Sequence, residues 1–134
     1  MQTKTNKKSG NEFETFFCEK LFSNGFWVHN LAQNQAGQPA DVIAVRNGVA
    51  YLIDCKVCSG KEFPYSRVEE NQDSSMLLWA DCGNDVGWFA LLFEDEIYML
   101  SHADIAFNRN IRSALPASEI RKLPTLERWL EKCK

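Results

Sequence analysis

The chain has 134 residues, of which 45% are hydrophobic and 12% aromatic. This is enough apolar material for one compact domain that buries about two-thirds of the surface of the unfolded chain. We therefore expect a single domain over residues 1–134, with a flexible basic tail over residues 1–9. The formal net charge of −3 argues against a protein that coats nucleic acid by bulk positive charge, but not against an enzyme that acts on it.

The same composition argues against membrane and secreted classes. The apolar runs are far shorter than a membrane span, and no apolar segment of the signal-peptide kind follows the basic N-terminal residues. The five cysteines are an odd number scattered through apparent core segments, which favours reduced thiols over a disulfide framework. The prediction is a cytoplasmic protein without membrane association.

The first predicted helix runs from about Asn11 to Asn24 and carries a carboxylate on its apolar side. At about 100° per residue, Glu14 falls inside an apolar arc, where an ionised group is costly unless it is paired or metal-bound. Alternatively, Glu14 lies at the edge of the arc and reaches water. The arc comprises Phe13, Phe16, Phe17, Cys18, Leu21 and Phe22.

A strand at Phe26–Asn30 and a polar loop, "AQNQAGQ", lead to a predicted hairpin. Its strands are Asp41–Arg46 and Val49–Val57, joined by Asn47-Gly48, the sequence that best fits a two-residue type I′ turn. If Arg46 faces Val49, paired positions have numbers that sum to 95.

This register places Asp41 directly opposite Asp54. Side chains so paired lie roughly 4.5–5.5 Å apart at Cβ, and like charges there are destabilising. Lys56 projects from the same face as Asp54 because strand side chains alternate. A shared proton, a nearby cation or a bound metal could offset the repulsion. The competing interpretation is that all three are ordinary strand-end charges that face solvent.

A second helix is predicted from about Arg67 to Ala80, with Ser66 and Glu69 as its capping box. Gln72 lies in the middle of its apolar face and therefore requires a partner, which is either the site or the backbone. The remaining predicted elements are strands at Val86–Phe93 and Glu96–Leu100 and helices at His102–Asn108 and Pro124–Cys133, the last with proline in its first turn. His29 and His102 are expected to be structural or surface residues.

These motifs resemble the PD-(D/E)xK nuclease superfamily. The resemblance is based on Glu14 in "GNEFE", Asp41 in "PAD" and Asp54 and Lys56 in "DCK". The spacing of Gly10 and Glu14, the "GFWVHNL" strand, "GQPAD" and the later "ENQ" helix are similar to Holliday junction resolvases of the recombination protein U and archaeal types. The resemblance implies a restriction-endonuclease-like α/β fold, a mixed sheet with flanking helices.

The resemblance also implies metal-dependent hydrolysis of DNA phosphodiester bonds, leaving 5′-phosphate and 3′-hydroxyl ends. Asp41, Asp54 and the main-chain carbonyl of Cys55 would bind Mg²⁺ or Mn²⁺, and Glu14 would complete the site through a water or a second ion.

The other two polar residues would act on the water and the phosphate. Lys56 would position and help deprotonate the attacking water, or stabilise charge that develops at phosphorus. Gln72 would orient the water or a phosphate. DNA phosphates would be contacted by Lys7, Lys8, Lys61 and Arg67, although the basic N-terminal segment could equally be a solvated leader.

Two other function classes stay open at this point. One is another nuclease of the superfamily, such as an exonuclease or a VRR-NUC-like repair enzyme that acts on flaps, ends or duplex DNA. The other is a DNA-binding protein that kept the fold and lost the chemistry, which would show as a missing aspartate or lysine; none is missing here.

Symmetrical cutting of a four-way junction requires two active sites, which a two-fold homodimer supplies. The large aromatic residues Trp79, Trp88, Phe89 and Trp129 are expected to include interface residues, because they are many for so small a domain. The alternative places all four in the core.

Overall fold

The computed structural model of the protein describes residues 6–31 and 40–133, with side chains from residue 10 onward. Predicted features within residues 1–5 and 32–39, including the polar loop, lie outside the described residues. The elements, in chain order, are α1 (Asn6–Ser23), β1 (Trp27–Asn30), β2 (Val42–Arg46), β3 (Val49–Val57), β4 (Glu62–Pro64), α2 (Glu70–Asp81), β5 (Trp88–Phe93), β6 (Glu96–Ser101), α3 (His102–Asn108), β7 (Ala114–Pro116), α4 (Ala117–Ile120) and α5 (Leu126–Lys132).

A five-stranded mixed sheet in the order β1-β2-β3-β5-β6 forms the centre of the molecule. Its neighbouring strands are antiparallel except for β3 and β5, which are parallel. The connection between these two strands carries α2, as a crossover between parallel strands requires. The predicted fold class, a mixed sheet with flanking helices, is confirmed.

The sheet separates two hydrophobic cores. One core lies under α1 and α5 and includes Phe17, Leu21 and Trp129. The other lies under α2 and α3 and includes Met76 and Ile105. Alternating residues of β3 enter one core or the other, so Asp54 and Lys56 project on the α2 side of the sheet.

The hairpin forms in the predicted register. Arg46 pairs with Val49 and Val42 with Ile53, so paired numbers sum to 95 along the ladder. Asn47 and Gly48 have φ values of 55° and 78°, as a type I′ turn demands. Strand β2 begins at Val42, one residue later than predicted, which leaves Asp41 just outside the strand.

Helix α1 buries a narrower stripe than its sequence suggests. Phe13, Phe17 and Leu21, spaced four residues apart, face the sheet, whereas Phe16 is 50% and Phe22 74% exposed. Phe16 and Phe22 belong to the apolar arc of the sequence but lie outside the core, because a helix packed on a sheet buries a single stripe of side chains. The helix also begins at Asn6 rather than near Asn11.

The start of the second helix differs from the prediction. Helix α2 begins at Glu70, and its capping box consists of Glu69 and Gln72 rather than Ser66 and Glu69. A short 3₁₀ turn at Tyr65–Arg67 precedes it, and Val68 has an extended backbone, so the predicted longer helix cannot form. Gln72 is therefore both the N3 residue of the capping box and a buried side chain.

Three short elements, β4, β7 and α4, were not predicted from the sequence. Strands β4 and β7 form a two-stranded sheet, and α4 follows β7 directly. Helix α5 begins at Leu126 with Thr125 as its N-cap, so the proline expected in its first turn lies before the helix. Pro124 accepts a hydrogen bond from Met99 at 2.9 Å, which holds it beside β6 instead.

The four aromatic residues considered for an interface differ in exposure. Phe89 and Trp129 are buried, and Trp79 and Trp88 are half-buried against the cores. The exposed large aromatic side chains are others: Phe16, Phe22, Trp27 and Phe107. Among the described residues, no helix is both long enough and apolar enough to span a membrane.

Candidate active site

The predicted catalytic residues converge on one cleft at the C-terminal end of β3. The cleft has a volume of about 680 Å³. It opens between α1, the start of β2 and the start of α2. Its lining includes all five predicted catalytic side chains, Glu14, Asp41, Asp54, Lys56 and Gln72.

Asp41 is attached to the opposite strand through its side chain. The β2–β3 pairing ends at Val42 and Ile53. One residue further out, Oδ2 of Asp41 accepts a hydrogen bond from the backbone N–H of Cys55 at 2.8 Å. The carboxylate thus replaces the next rung of the ladder, and this fixes its position beside Asp54.

Asp54 is a buried carboxyl group, with a residue exposure of 3%. Burial and the neighbouring Asp41 charge raise its pKa to about 7, and a hydrogen bond with the Asp41 side chain acts in the same direction, against the lowering effect of Lys56. The structure therefore brings the two carboxyl groups together as the sequence predicted. A pair of this kind requires a proton or a cation.

Lys56 bridges the carboxyl pair and α2. Its Nζ lies 3.0 Å from Oδ2 of Asp54 and donates a hydrogen bond of 3.3 Å to Oε1 of Gln72. The same Gln72 oxygen accepts the backbone N–H of Glu69 at 3.1 Å. The lysine ammonium is thereby held between a strand partner and a helix partner, facing the cleft.

Glu14 is 7% exposed, so the expectation that an apolar helix face would bury it is met. Burial, then the charges of Glu14 and Asp41, raise the pKa of the Cys18 thiol to about 11. Glu14 and Asp41 therefore act on the same region from α1 and from the hairpin.

The donor set suits a hard divalent cation. Once both Asp41 and Asp54 are ionised they carry excess negative charge, and carboxylate and carbonyl oxygens are the ligands that Mg²⁺ prefers. Among residues 6–31 and 40–133, no three His, Cys, Asp or Glu side chains stand close enough to form a complete metal-binding group by themselves. The Asp41–Asp54 pair would thus need main-chain or water oxygens to complete a coordination shell.

Two of the four predicted DNA-contacting residues also line the cleft, namely Lys61 and Arg67. Both are exposed, and Arg67 donates a 2.8 Å hydrogen bond to the carbonyl oxygen of Val57, which orients its guanidinium at the end of β3. The side chains of Lys7 and Lys8 lie outside the described residues.

One polar cluster next to this site was not predicted from the sequence. Asp73, the residue after Gln72, binds the buried His102 and the guanidinium of Arg109. His102 was expected to be structural or on the surface, and it proves to be buried. The signal available in the sequence was weak, because the pairing joins residues 29 and 36 positions apart.

The sequence that forms this site matches the model of a known protein family. A model described as archaeal Holliday junction resolvase (hjc) matches residues 5–128. The chain belongs to the archaeal Holliday junction resolvase family. The match covers every residue that lines the cleft, including all five convergent side chains.

Two solved structures have a fold similar to that of this chain. The Hjc Holliday junction resolvase of the archaeal hyperthermophile Archaeoglobus fulgidus superposes with a TM-score of 0.68 and 14% identity, covering 92% of this chain and 96% of that one. The bacterial homing endonuclease I-Ssp6803I superposes with a TM-score of 0.51 and 11% identity, covering 84% and 73%. At these identities the likeness is one of fold. No curated protein sequence matches the chain.

Proposed function

We propose that this chain is a divalent-metal-dependent endonuclease that cleaves branched DNA, with the four-way junction as its substrate. The observation that carries the proposal is the contact between the Asp41 and Asp54 carboxyl groups, with the Lys56 ammonium 3.0 Å from the latter. Membership of the resolvase family supports the choice of substrate.

Mg²⁺ or Mn²⁺ would be held by Asp41, Asp54 and the main-chain carbonyl of Cys55. When bound, the ion would supply electrophilic stabilisation of a phosphate oxygen and of the charge that develops during hydrolysis. The chain contributes a prebuilt carboxylate pair, since the hydrogen bond from Cys55 orients Asp41 before any ligand arrives. Glu14, buried at the same cleft, would complete the site through a water or a second ion.

The reaction is attack of water on phosphorus with breakage of the bond to the 3′ oxygen, which leaves 5′-phosphate and 3′-hydroxyl ends. Lys56 would position the attacking water and help remove its proton, or stabilise negative charge that accumulates on the phosphate. Gln72 would orient the water or a phosphate oxygen, besides holding Lys56. Lys61 and Arg67 at the cleft, together with Lys7 and Lys8, would contact neighbouring phosphates. We propose that the protein acts in the cytoplasm.

The decisive experiment compares labelled four-way junction, flap, single-stranded and linear duplex DNA, each with Mg²⁺, Mn²⁺ or a chelator. We expect cleavage of the junction that requires the metal and disappears in Asp54→Asn. Preferential cleavage of flaps, ends or duplex would move the assignment to another nuclease of the same fold. Binding of junction DNA without cleavage under any metal would indicate a protein that kept the fold and lost the chemistry.

Metal binding is measured separately, by thermal denaturation without DNA. A ligand that binds only the folded state stabilises it by about 2.7 kcal/mol at a hundred times its dissociation constant. We expect Mg²⁺ to raise the Tm of the wild-type protein and to leave Asp54→Asn unchanged. Equal shifts in both proteins would place the ion elsewhere.

We also propose that the protein functions as a two-fold dimer. The support is a set of exposed apolar side chains on the neighbouring helices α2 and α3 and just beyond α3: Leu77, Leu78, Phe107 and Ile111, which are 55%, 63%, 69% and 64% exposed. An exposed apolar patch formed by these side chains would serve as the self-complementary surface of a two-fold dimer.

Sedimentation at micromolar concentration tests the dimer. Leu78→Glu should convert it to a monomer that fails to make paired nicks on opposite junction strands. Phe22→Glu, on the exposed side of α1, is the matched control and should stay dimeric. A wild-type protein that sediments as a monomer at every concentration would contradict the dimer.

A further inference from the structure

A three-residue ionic cluster joins α2 to α3. Nε2 of His102 donates to Oδ1 of Asp73 at 2.7 Å, and both terminal nitrogens of Arg109 donate to the same carboxylate at 2.8 and 2.9 Å. His102 is buried and Asp73 is largely shielded from solvent. Burial pushes the pKa of Asp73 up, but the hydrogen bonds from Arg109 and His102 outweigh it and leave that pKa below its usual value. The carboxylate is therefore ionised and bound on both oxygens.

The cluster lies one residue from the active-site amide. Gln72 precedes Asp73 on α2, and successive helical residues project about 100° apart. Gln72 therefore reaches Lys56 on the sheet while Asp73 reaches α3. Any rotation of α2 about its axis moves both contacts together.

A contact between Met76 of α2 and Gly87, just before β5, sets the distance between α2 and the sheet. A Cβ atom added at Gly87 would lie 2.5 Å from Sδ and 3.0 Å from Cβ of Met76, so the helix rests on bare backbone at this point. The carbonyl of Gly87 in turn accepts the backbone N–H of His102 at 2.8 Å. His102 thus binds Gly87 through its backbone and Asp73 of α2 through its side chain.

We infer that Asp73, with His102 and Arg109, is a positioning residue for the nuclease reaction, because it sets the rotation of α2 that places Gln72 against Lys56. This inference rests on the proposed function of Lys56 and Gln72. Asp73, His102 and Arg109 are not among the residues that line the cleft. The cluster acts through the amide of Gln72, which holds the lysine ammonium at the cleft.

A double-mutant cycle tests the inference, using Asp73→Asn, Gln72→Ala and the double variant in single-turnover cleavage of junction DNA at saturating Mg²⁺. Each single variant should lose about 10- to 100-fold in the single-turnover rate measured with saturating DNA. The double variant should be no slower than Gln72→Ala alone, because both changes remove the same interaction. Multiplying effects, or wild-type rates in Asp73→Asn, would overturn the inference.

A second measurement needs neither metal nor DNA. The NMR signals of the Lys56 ammonium and the Gln72 side-chain amide should shift in Asp73→Asn and in the milder Arg109→Lys. Glu94→Gln is the matched control, because it breaks an exposed bidentate pair with Arg121, of 2.9 and 2.7 Å, at the turn between β5 and β6. It should leave both signals and the cleavage rate unchanged.

These readouts separate the two proposals. If wild-type protein cleaves no DNA but the signals move as expected, the proposed function fails and the positioning holds. Unmoved signals in a folded Asp73→Asn, judged by its Tm, would overturn the positioning alone. If Asp73→Asn does not fold, Arg109→Lys decides by the same criteria.

Discussion

The carboxylate of Asp41 accepts the backbone N–H of Cys55, 14 residues further along the chain, at 2.8 Å. This bond places one acidic group of the hairpin against the strand that carries the other. The two carboxyl groups are consequently in contact before any metal binds. Their repulsion is a property of the folded chain, and it leads to measurable effects on stability.

Asp41→Asn should stabilise the metal-free protein. An asparagine oxygen can still accept the N–H of Cys55, while the charge beside Asp54 disappears. We expect the Tm in chelator to rise by about 3–5 °C for each kcal/mol of relieved repulsion. Asp41→Ala, which removes the acceptor as well, is the comparison and should gain less or lose stability. An unchanged or lower Tm for Asp41→Asn would count against the contact.

The stability of the metal-free protein should fall as pH rises from about 4 to about 7. Asp54 has a folded-state pKa raised to about 7 from an ordinary value of 3.8, so the folded protein binds the proton more tightly than the unfolded chain. The free energy of unfolding therefore decreases with pH over this interval, by at most about 1.4 kcal/mol per pH unit.

Other groups titrate too, so the test takes the difference between wild type and Asp54→Asn in urea denaturation at several pH values. The wild type should lose stability relative to the variant between pH 4 and 7, and saturating Mg²⁺ should remove the difference in slope. Parallel curves without metal would contradict the raised pKa.

Lys56→Gln should abolish cleavage without unfolding the protein. Loss of the ammonium removes the group proposed to handle the water proton, which costs about 10²- to 10⁴-fold in rate. The folded state tolerates the change because Asp54 can remain protonated. Single-turnover rates measure the effect. Lys61→Gln, an exposed lysine of the same cleft, is the control and should weaken DNA binding while sparing the chemical step.

Gly87→Ala should weaken both the fold and the activity. The added methyl group would meet the side chain of Met76 at 2.5 Å and force α2 away from the start of β5. Overpacking of this kind costs about 1–3 kcal/mol, and urea denaturation measures it. Gly60→Ala is the control, since nothing lies within 4 Å of its added Cβ. Equal stability of the two variants would show that α2 can shift to make room for the added methyl group and would contradict the prediction.

The hairpin and its charges could be predicted from the sequence because they depend on local rules. Asn47-Gly48 specifies the turn, the turn specifies the register, and the two-residue alternation of a strand then places Asp54 and Lys56 on one face. The buried position of Glu14 was available from helical periodicity in the same way. These inferences need only the geometry of a single element or of two adjacent ones.

The tertiary structure alone decided how these local pieces meet. Phe16 and Phe22 belong to the apolar arc of α1, but the helix buries one stripe of side chains and leaves these two exposed. The capping box of α2 shifted to Glu69 and Gln72 because Val68 takes an extended backbone after the 3₁₀ turn. The Asp73–His102–Arg109 cluster joins side chains from two helices that no local pattern relates. Such pairings follow from packing both helices on one sheet, which depends on the whole chain at once.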